Sequence, residues 1–180
     1  MTGNPKCLKI REISFFATLL MTSNMRCANL TRPGHVTSFE CYDTSHLYNL
    51  HHFWQEGLVQ APLLIQGVFG LLGGIGAHPD DFSHMKRTAD RLFGDNYRWS
   101  ALGAGRSQMF IAALSAAGGG HVRVGLEDSL WGGRGRLSVS NAEQVRQVRT
   151  IIEGLGLEVA SSEDARDLLS LKGANNVNFK

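Results

Sequence analysis

From about residue 36 onward, short β-prone runs alternate with stretches whose apolar residues recur at helical spacing. VTSFECYD (36–43) is β-prone, and SHLYNLHHFWQEG (45–57) follows with Leu47, Leu50, Phe53 and Trp54 on a helical period. PLLIQGVFG (62–70) is a continuous apolar run, as in a strand buried on both faces. Residues 79–93 carry Phe82, Met85, Ala89, Leu92 and Phe93 between charges. NYRWSALG (96–103) leads into a helix from Arg106 to Ala117. HVRVGLE (121–127) leads into a loop and then a helix from Asn141, its predicted N-cap, to Gly154. A short final helix is expected from Ser162 to about residue 171.

This alternation implies an α/β fold with parallel strands joined by right-handed crossovers. The 180 residues fall short of the roughly 250 that a complete (β/α)8 barrel needs. Half a barrel or a small open sheet is therefore expected. Residues 1–35 show no sustained period and belong to no βα unit, so the chain divides there into an atypical N-terminal segment and a portion spanning 36–180. Open strand edges need covering, by the first 35 residues or by another chain, which makes a homo-oligomer the expected state.

Bulk properties exclude several function classes. Eighteen basic and sixteen acidic residues leave a net charge of +2 with mixed signs, too weak a bias to argue for nucleic acid or an anionic membrane. The cysteines, at 7, 27 and 41, form no CxxC pair or disulfide framework, which points to a reducing, cytoplasmic setting. ISFFATLLM (13–21) faintly resembles a signal-peptide core but lacks a small-residue cleavage site. Residues 61–77 contain five glycines and Gln66, and read as a strand entering a glycine-rich loop rather than a membrane span.

The chemistry concentrates in HVRVGLEDS (121–129). In an extended segment Val122, Val124 and Leu126 share an apolar face, while Arg123, Gly125 and Glu127 share the other. An inward arginine and glutamate are costly unless paired or functional. Glu127 would close the strand and Asp128 open the loop, at the end where barrel enzymes place their sites. Two readings stand side by side: a salt bridge from Arg123 with a turn acid at Asp128, or carboxylates that divide labour as metal ligand and base. Glu40 should also point inward near its strand end, in a site role, while Asp43 reads better as a helix cap. The turns GLLGGIG (70–76) and GAGRS (103–107) could present amides to a phosphate with Arg106 adding charge, although tight turns explain them more simply. The histidines form no recognisable metal motif: His51 and His52 point about 100° apart on a helix and read as surface or groove residues.

GGHVRVGLEDS together with SNAEQV (140–145), and upstream FECYDTSHL, WSALGAGRSQ and EDARDLLSL, resembles the β-keto acid cleavage enzymes over residues 36–172. The resemblance implies a partial TIM-type barrel comprising about its last four βα units. It implies a zinc-dependent acyl exchange in which a small-molecule 3-keto acid and acetyl-CoA give acetoacetate and a new CoA thioester, as in amino-acid catabolism. By the same resemblance Glu127 is the carboxylate ligand to Zn2+. Arg123 and Asp128 form the dyad that removes a proton from the keto acid, with Arg123 holding Asp128 charged, and Glu40 supplies a supporting polar group. The family's His-x-His zinc ligands have no counterpart here, so the chain alone is expected to turn over at trace level. The alternative is a non-catalytic binding or interaction module.

Overall fold

The computed structural model describes residues 6–7 and 36–171. The stretch 13–21, like most of the N-terminal segment, lies outside the described residues. Strands β1 (Lys6–Cys7), β2 (Ser38–Cys41), β3 (Leu63–Phe69), β4 (Tyr97–Gly103) and β5 (His121–Val122) are interleaved with helices α1 (Thr44–Gln55), α2 (Pro79–Phe93) and α3 (Gln108–Ala117). A small hairpin of β6 (Trp131–Gly133) and β7 (Arg136–Leu137) follows, then α4 (Asn141–Gly154), β8 (Glu158–Val159) and α5 (Ser162–Leu168).

The central layer is a parallel sheet in the order β2–β3–β4–β5. Its strands are neighbours in sequence order, which is the arrangement that right-handed crossovers generate when every helix lies on one face. The core agrees. Phe39, Cys41, Leu63, Ile65, Phe69, Trp99 and Ala101 alternate along the strands and pack with Leu47 and Leu50 of α1, Phe82, Met85, Ala89 and Phe93 of α2, and Ile111 of α3. Burying each large apolar side chain contributes about 1.5–3 kcal/mol. The intervening positions form the other face, and one row across it is polar: Glu40 lies beside Gln66, Gln66 beside Ser100, and Ser100 beside His121. A second cluster of Ala112, Ala116, Val122, Val148 and Ile152 fixes α4 against α3 and β5.

Local chemistry accounts for the boundaries. Asp43 caps α1, its carboxylate accepting from Ser45 N at 3.3 Å, as its position suggested. Pro79 opens α2, Asp80 and Asp81 complement its dipole, and Gly94 ends it at φ 54°. Gly103 ends β4 where an added Cβ would lie 2.7 Å from the Ser107 carbonyl oxygen and 2.9 Å from Ile111 Cβ, so glycine permits the close passage of the strand end under α3.

Several expectations need correction. Ser140, not Asn141, caps α4, because its hydroxyl accepts from Glu143 N; Asn141 is the first helical residue. Ser161 caps α5 in a capping box with Asp164, and that helix ends at Leu168. The segment after Asp128 contains the β6–β7 hairpin rather than loop alone. The strand expected over 121–127 is only two residues long. Gly125 N is taken by the Gln108 side chain and Leu126 N by Asn141, and Asp128 N and Ser129 N return to the Gly125 carbonyl, so the chain turns where a ladder would continue.

Strand β1 pairs in parallel with β8, as Lys6 beside Glu158 and Cys7 beside Val159, and not with the four-stranded sheet. Among the described residues, no further strand covers the β2 or β5 edge. Residues 61–77 form β3 and the loop that leaves it, and no helix of the described residues is long and apolar enough to cross a membrane.

Candidate active site

The C-terminal ends of β2 and β5 bring three acids onto one arginine. Glu40 sits next to the last residue of β2, and its backbone register beside Gln66 aims it to the polar face. Arg123 directly follows β5, still tied to the sheet by its N–H to the Ala101 carbonyl at 3.1 Å. The turn over 125–128 then carries Glu127 and Asp128 back toward the guanidinium. Arg123 Nη1 donates to Glu40 Oε1 at 2.8 Å and Nη2 to Glu127 Oε2 at 2.8 Å. Asp128 is held at both oxygens, by Nε at 3.1 Å and Nη2 at 3.2 Å. Such a fork fixes the carboxylate plane as well as its distance.

Exposure separates the three acids. The side chains of Arg123, Glu40 and Asp128 are 14%, 7% and 11% exposed, whereas Glu127 is 52% exposed. Glu127 thus belongs to the turn and faces solvent, in contrast to the inward strand position expected for it. Among the described residues, three carboxylates against one guanidinium leave an excess of negative charge when all are ionised. Burial pushes the Asp128 carboxyl above its usual range; Arg123 draws it down, and the nearby Glu127 and Glu40 charges push it up again. Arg123 therefore acts on Asp128 in the expected direction but does not set the outcome. A buried carboxylate with a raised pKa is better matched to taking up a proton than an ordinary aspartate.

Glu40 is further fixed by Tyr42, whose hydroxyl donates to Oε2 at 2.8 Å, and by Gln66 Nε2, which donates to Oε1 at 3.1 Å. Burial and the Glu40 contact push the Tyr42 hydroxyl up to about 12, so it remains a donor at neutral pH. Farther along the row, burial and Arg98 push the His121 imidazole down to about 4. Ser100 Oγ, between Gln66 and His121, is buried and has no hydrogen-bond partner among the described residues.

Sequence reasoning missed Tyr42, Gln66, Gln108 and Asn141 as parts of this assembly. Two of these carried a signal: Gln66 interrupts an otherwise apolar run, and Tyr42 lies two residues after Glu40, just beyond the end of β2. Gln108 and Asn141 sit at helix starts, and their role follows only from how the 125–128 turn packs on them. The backbone amides, histidine and cysteine among the other candidates resolve as structural. Gly70 N, Gly74 N and Ile75 N are all spent on backbone carbonyls, as are Ala104 N, Gly105 N and Ser107 N, so both glycine-rich segments are turns in which these amides are committed. His51 packs its ring on Trp54 and Phe93. Cys41 is a buried thiol, pushed up to about 12 by burial and Glu40.

Among the described residues no group of three or more His, Cys, Asp or Glu side chains is placed to hold a metal ion. Catalytic zinc takes three protein ligands. The described residues therefore do not by themselves form a zinc site, and Glu127, with one oxygen on Arg123, is the most solvent-facing acid of the cluster.

A family model described as beta-keto acid cleavage enzyme matches residues 15–171. A 3,5-dioxohexanoate:acetyl-CoA acetone transferase of Paraburkholderia graminis is 60% identical over 141 residues, which is 78% of this chain and 46% of that protein. A 3-dehydrocarnitine:acetyl-CoA trimethylamine transferase of Rhizobium meliloti is 34% identical over 79% of this chain and 46% of its own length. A 3-keto-5-aminohexanoate cleavage enzyme of Fusobacterium nucleatum is 32% identical over 79% of this chain and 50% of its own length. The chain thus spans about half the length of the curated relatives it matches.

Proposed function

The chain belongs to the β-keto acid cleavage enzyme family, and from that premise we propose that residues 36–171 are a sector of a (β/α)8 barrel carrying the proton-transfer part of a keto acid cleavage site. The observation that carries this reading is the fork between Arg123 and Asp128, buried at the strand ends and anchored from the far strand by Glu40. The one-sided packing of helices on a sequentially ordered parallel sheet supports the barrel.

In the proposed reaction Asp128 accepts a proton from the carbon between the carbonyl and carboxylate of a 3-keto acid. The carbanion attacks the thioester carbonyl of acetyl-CoA, a carbon–carbon bond forms, and CoA leaves as the thiolate. The thiolate then adds to the original ketone, and the bond between that carbon and the former carbanion breaks. Acetoacetate departs after recovering a proton from Asp128, and the remainder leaves as the new CoA thioester. Arg123 and Glu40 act as positioning residues that fix the plane of Asp128. Zinc enters the proposal through Glu127 alone, as one member of a ligand set whose other members lie outside the described residues; no step above depends on it.

The 60% identity to the acetone transferase makes 3,5-dioxohexanoate the first substrate to test, with acetoacetyl-CoA and acetoacetate as products. Purified chain in zinc-supplemented buffer should release acetoacetyl-CoA at a low rate, and Asp128→Asn should cut that rate at least about 100-fold. A rate indifferent to Asp128→Asn would reject the assignment. The second reading, a binding module without turnover, draws on the lack of a metal-holding group among the described residues. It predicts affinity for CoA with no product.

A further inference from the structure

Beside the carboxylate cluster lies a second feature that the proton-transfer chemistry leaves unused. A cleft of about 540 Å³ opens between the start of α3 and the β6–β7 hairpin, lined among others by Arg106, Gln108, Met109, Trp131, Arg134 and Gln147. That volume is in the range of small-molecule sites, about 300–1,000 Å³. We infer that this cleft receives the phosphate-bearing end of the CoA co-substrate, an inference that rests on the acyl-transfer reading above.

Among the described residues the lining is rich in donors and contains no acid. Arg106 lies over the Trp131 ring at 4.5 Å, which holds the guanidinium in place without neutralising it. Arg134 projects from the hairpin between Gly133 and Gly135, the latter at φ 72°. Among the described residues neither arginine has a carboxylate within ion-pair distance, whereas neighbouring Arg136 is committed to Glu143 and the Gly132 carbonyl. Gln108 adds an independent sign. It is 1% exposed, its Oε1 accepts from Gly125 N at 3.0 Å, and its Nε2 has no hydrogen-bond partner among the described residues. An unpartnered buried donor in the wall of a cleft is costly unless a ligand acceptor meets it. Two arginines and an amide donor suit phosphate oxygens.

The cleft is also joined to the candidate active site. Ser129, the residue after Asp128, lines it, and Gly105 N donates to the Asp128 carbonyl at 2.8 Å. A long ligand with a reactive thioester at one end and phosphates at the other therefore fits the two sites together. CoA is such a ligand.

Calorimetric titration of the full chain with CoA, 3′,5′-ADP and pantetheine tests the inference. CoA and 3′,5′-ADP should bind, and Arg106→Gln and Arg134→Gln should each weaken both roughly tenfold. Pantetheine, which lacks the phosphates, should not respond to either substitution. Asp128→Asn should bind 3′,5′-ADP like the parent. The inference is overturned if the parent chain does not bind 3′,5′-ADP, or if both arginine variants bind CoA as the parent does. Arginine-dependent 3′,5′-ADP binding in a chain without keto acid chemistry would instead retain the cleft and remove the acyl-transfer reading.

Discussion

Among the described residues Arg123 holds three carboxylates, and they differ in burial. Asp128 is enclosed and gripped at both oxygens, Glu40 is enclosed and tied to Tyr42 and Gln66, and Glu127 is half in water. Strand alternation was enough to single out Arg123 and Glu40. It reached Glu127 by the wrong route, because that residue sits in a turn and not on a strand face. No sequence pattern states how deeply Asp128 is buried, so the direction of its shift was legible only from structure. At the same scale, His121 makes a pH prediction. Its imidazole, lowered by burial and by Arg98 from 6.5 to about 4, stays neutral in the fold. Between about pH 6.5 and 4 the unfolded chain takes up a proton that the folded chain refuses. Stability is therefore fully present above that window and falls as pH drops through it, by about 3 kcal/mol in total. Urea titrations should show His121→Gln losing markedly less stability than the parent across that window. Equal slopes would mean that His121 is accessible to protons in the fold.

At the scale of elements, α2 and α4 matched their sequence boundaries because their periodicity is strong and their starts carry local chemistry. Strand β5 did not match, because its apparent length came from alternation that tertiary contacts override. Two helix starts reach across to claim the amides of the 125–128 turn: Gln108 takes Gly125 N and Asn141 takes Leu126 N at 2.7 Å. These bonds shape the turn that presents Glu127 and Asp128. Asn141→Ala should leave the Leu126 amide to water in place of its side-chain acceptor and destabilise the chain by about 0.5–1.5 kcal/mol, read by chemical denaturation. Asn141→Asp keeps the acceptor and should recover most of that loss. If alanine and aspartate behave alike, the bond does not hold the turn.

For the whole molecule, the order β2–β3–β4–β5 with helices packed on one face leaves a polar row along the other, ending at the Arg123 cluster. The repeating strand–helix pattern made the parallel sheet readable. The pairing of β1 with β8 was not, since two residues carry no periodic signal. The chain spans about half the length of its relatives, so the proposal separates a proton-transfer step, assigned to residues described here, from full turnover. That step can be followed alone as deuterium uptake at the carbon between the carbonyl and carboxylate of acetoacetate, in D2O and without CoA. The parent chain should show uptake above the uncatalysed rate, reduced at least about 100-fold by Asp128→Asn. No uptake above background by the parent, or uptake that survives Asp128→Asn, would contradict the proposal.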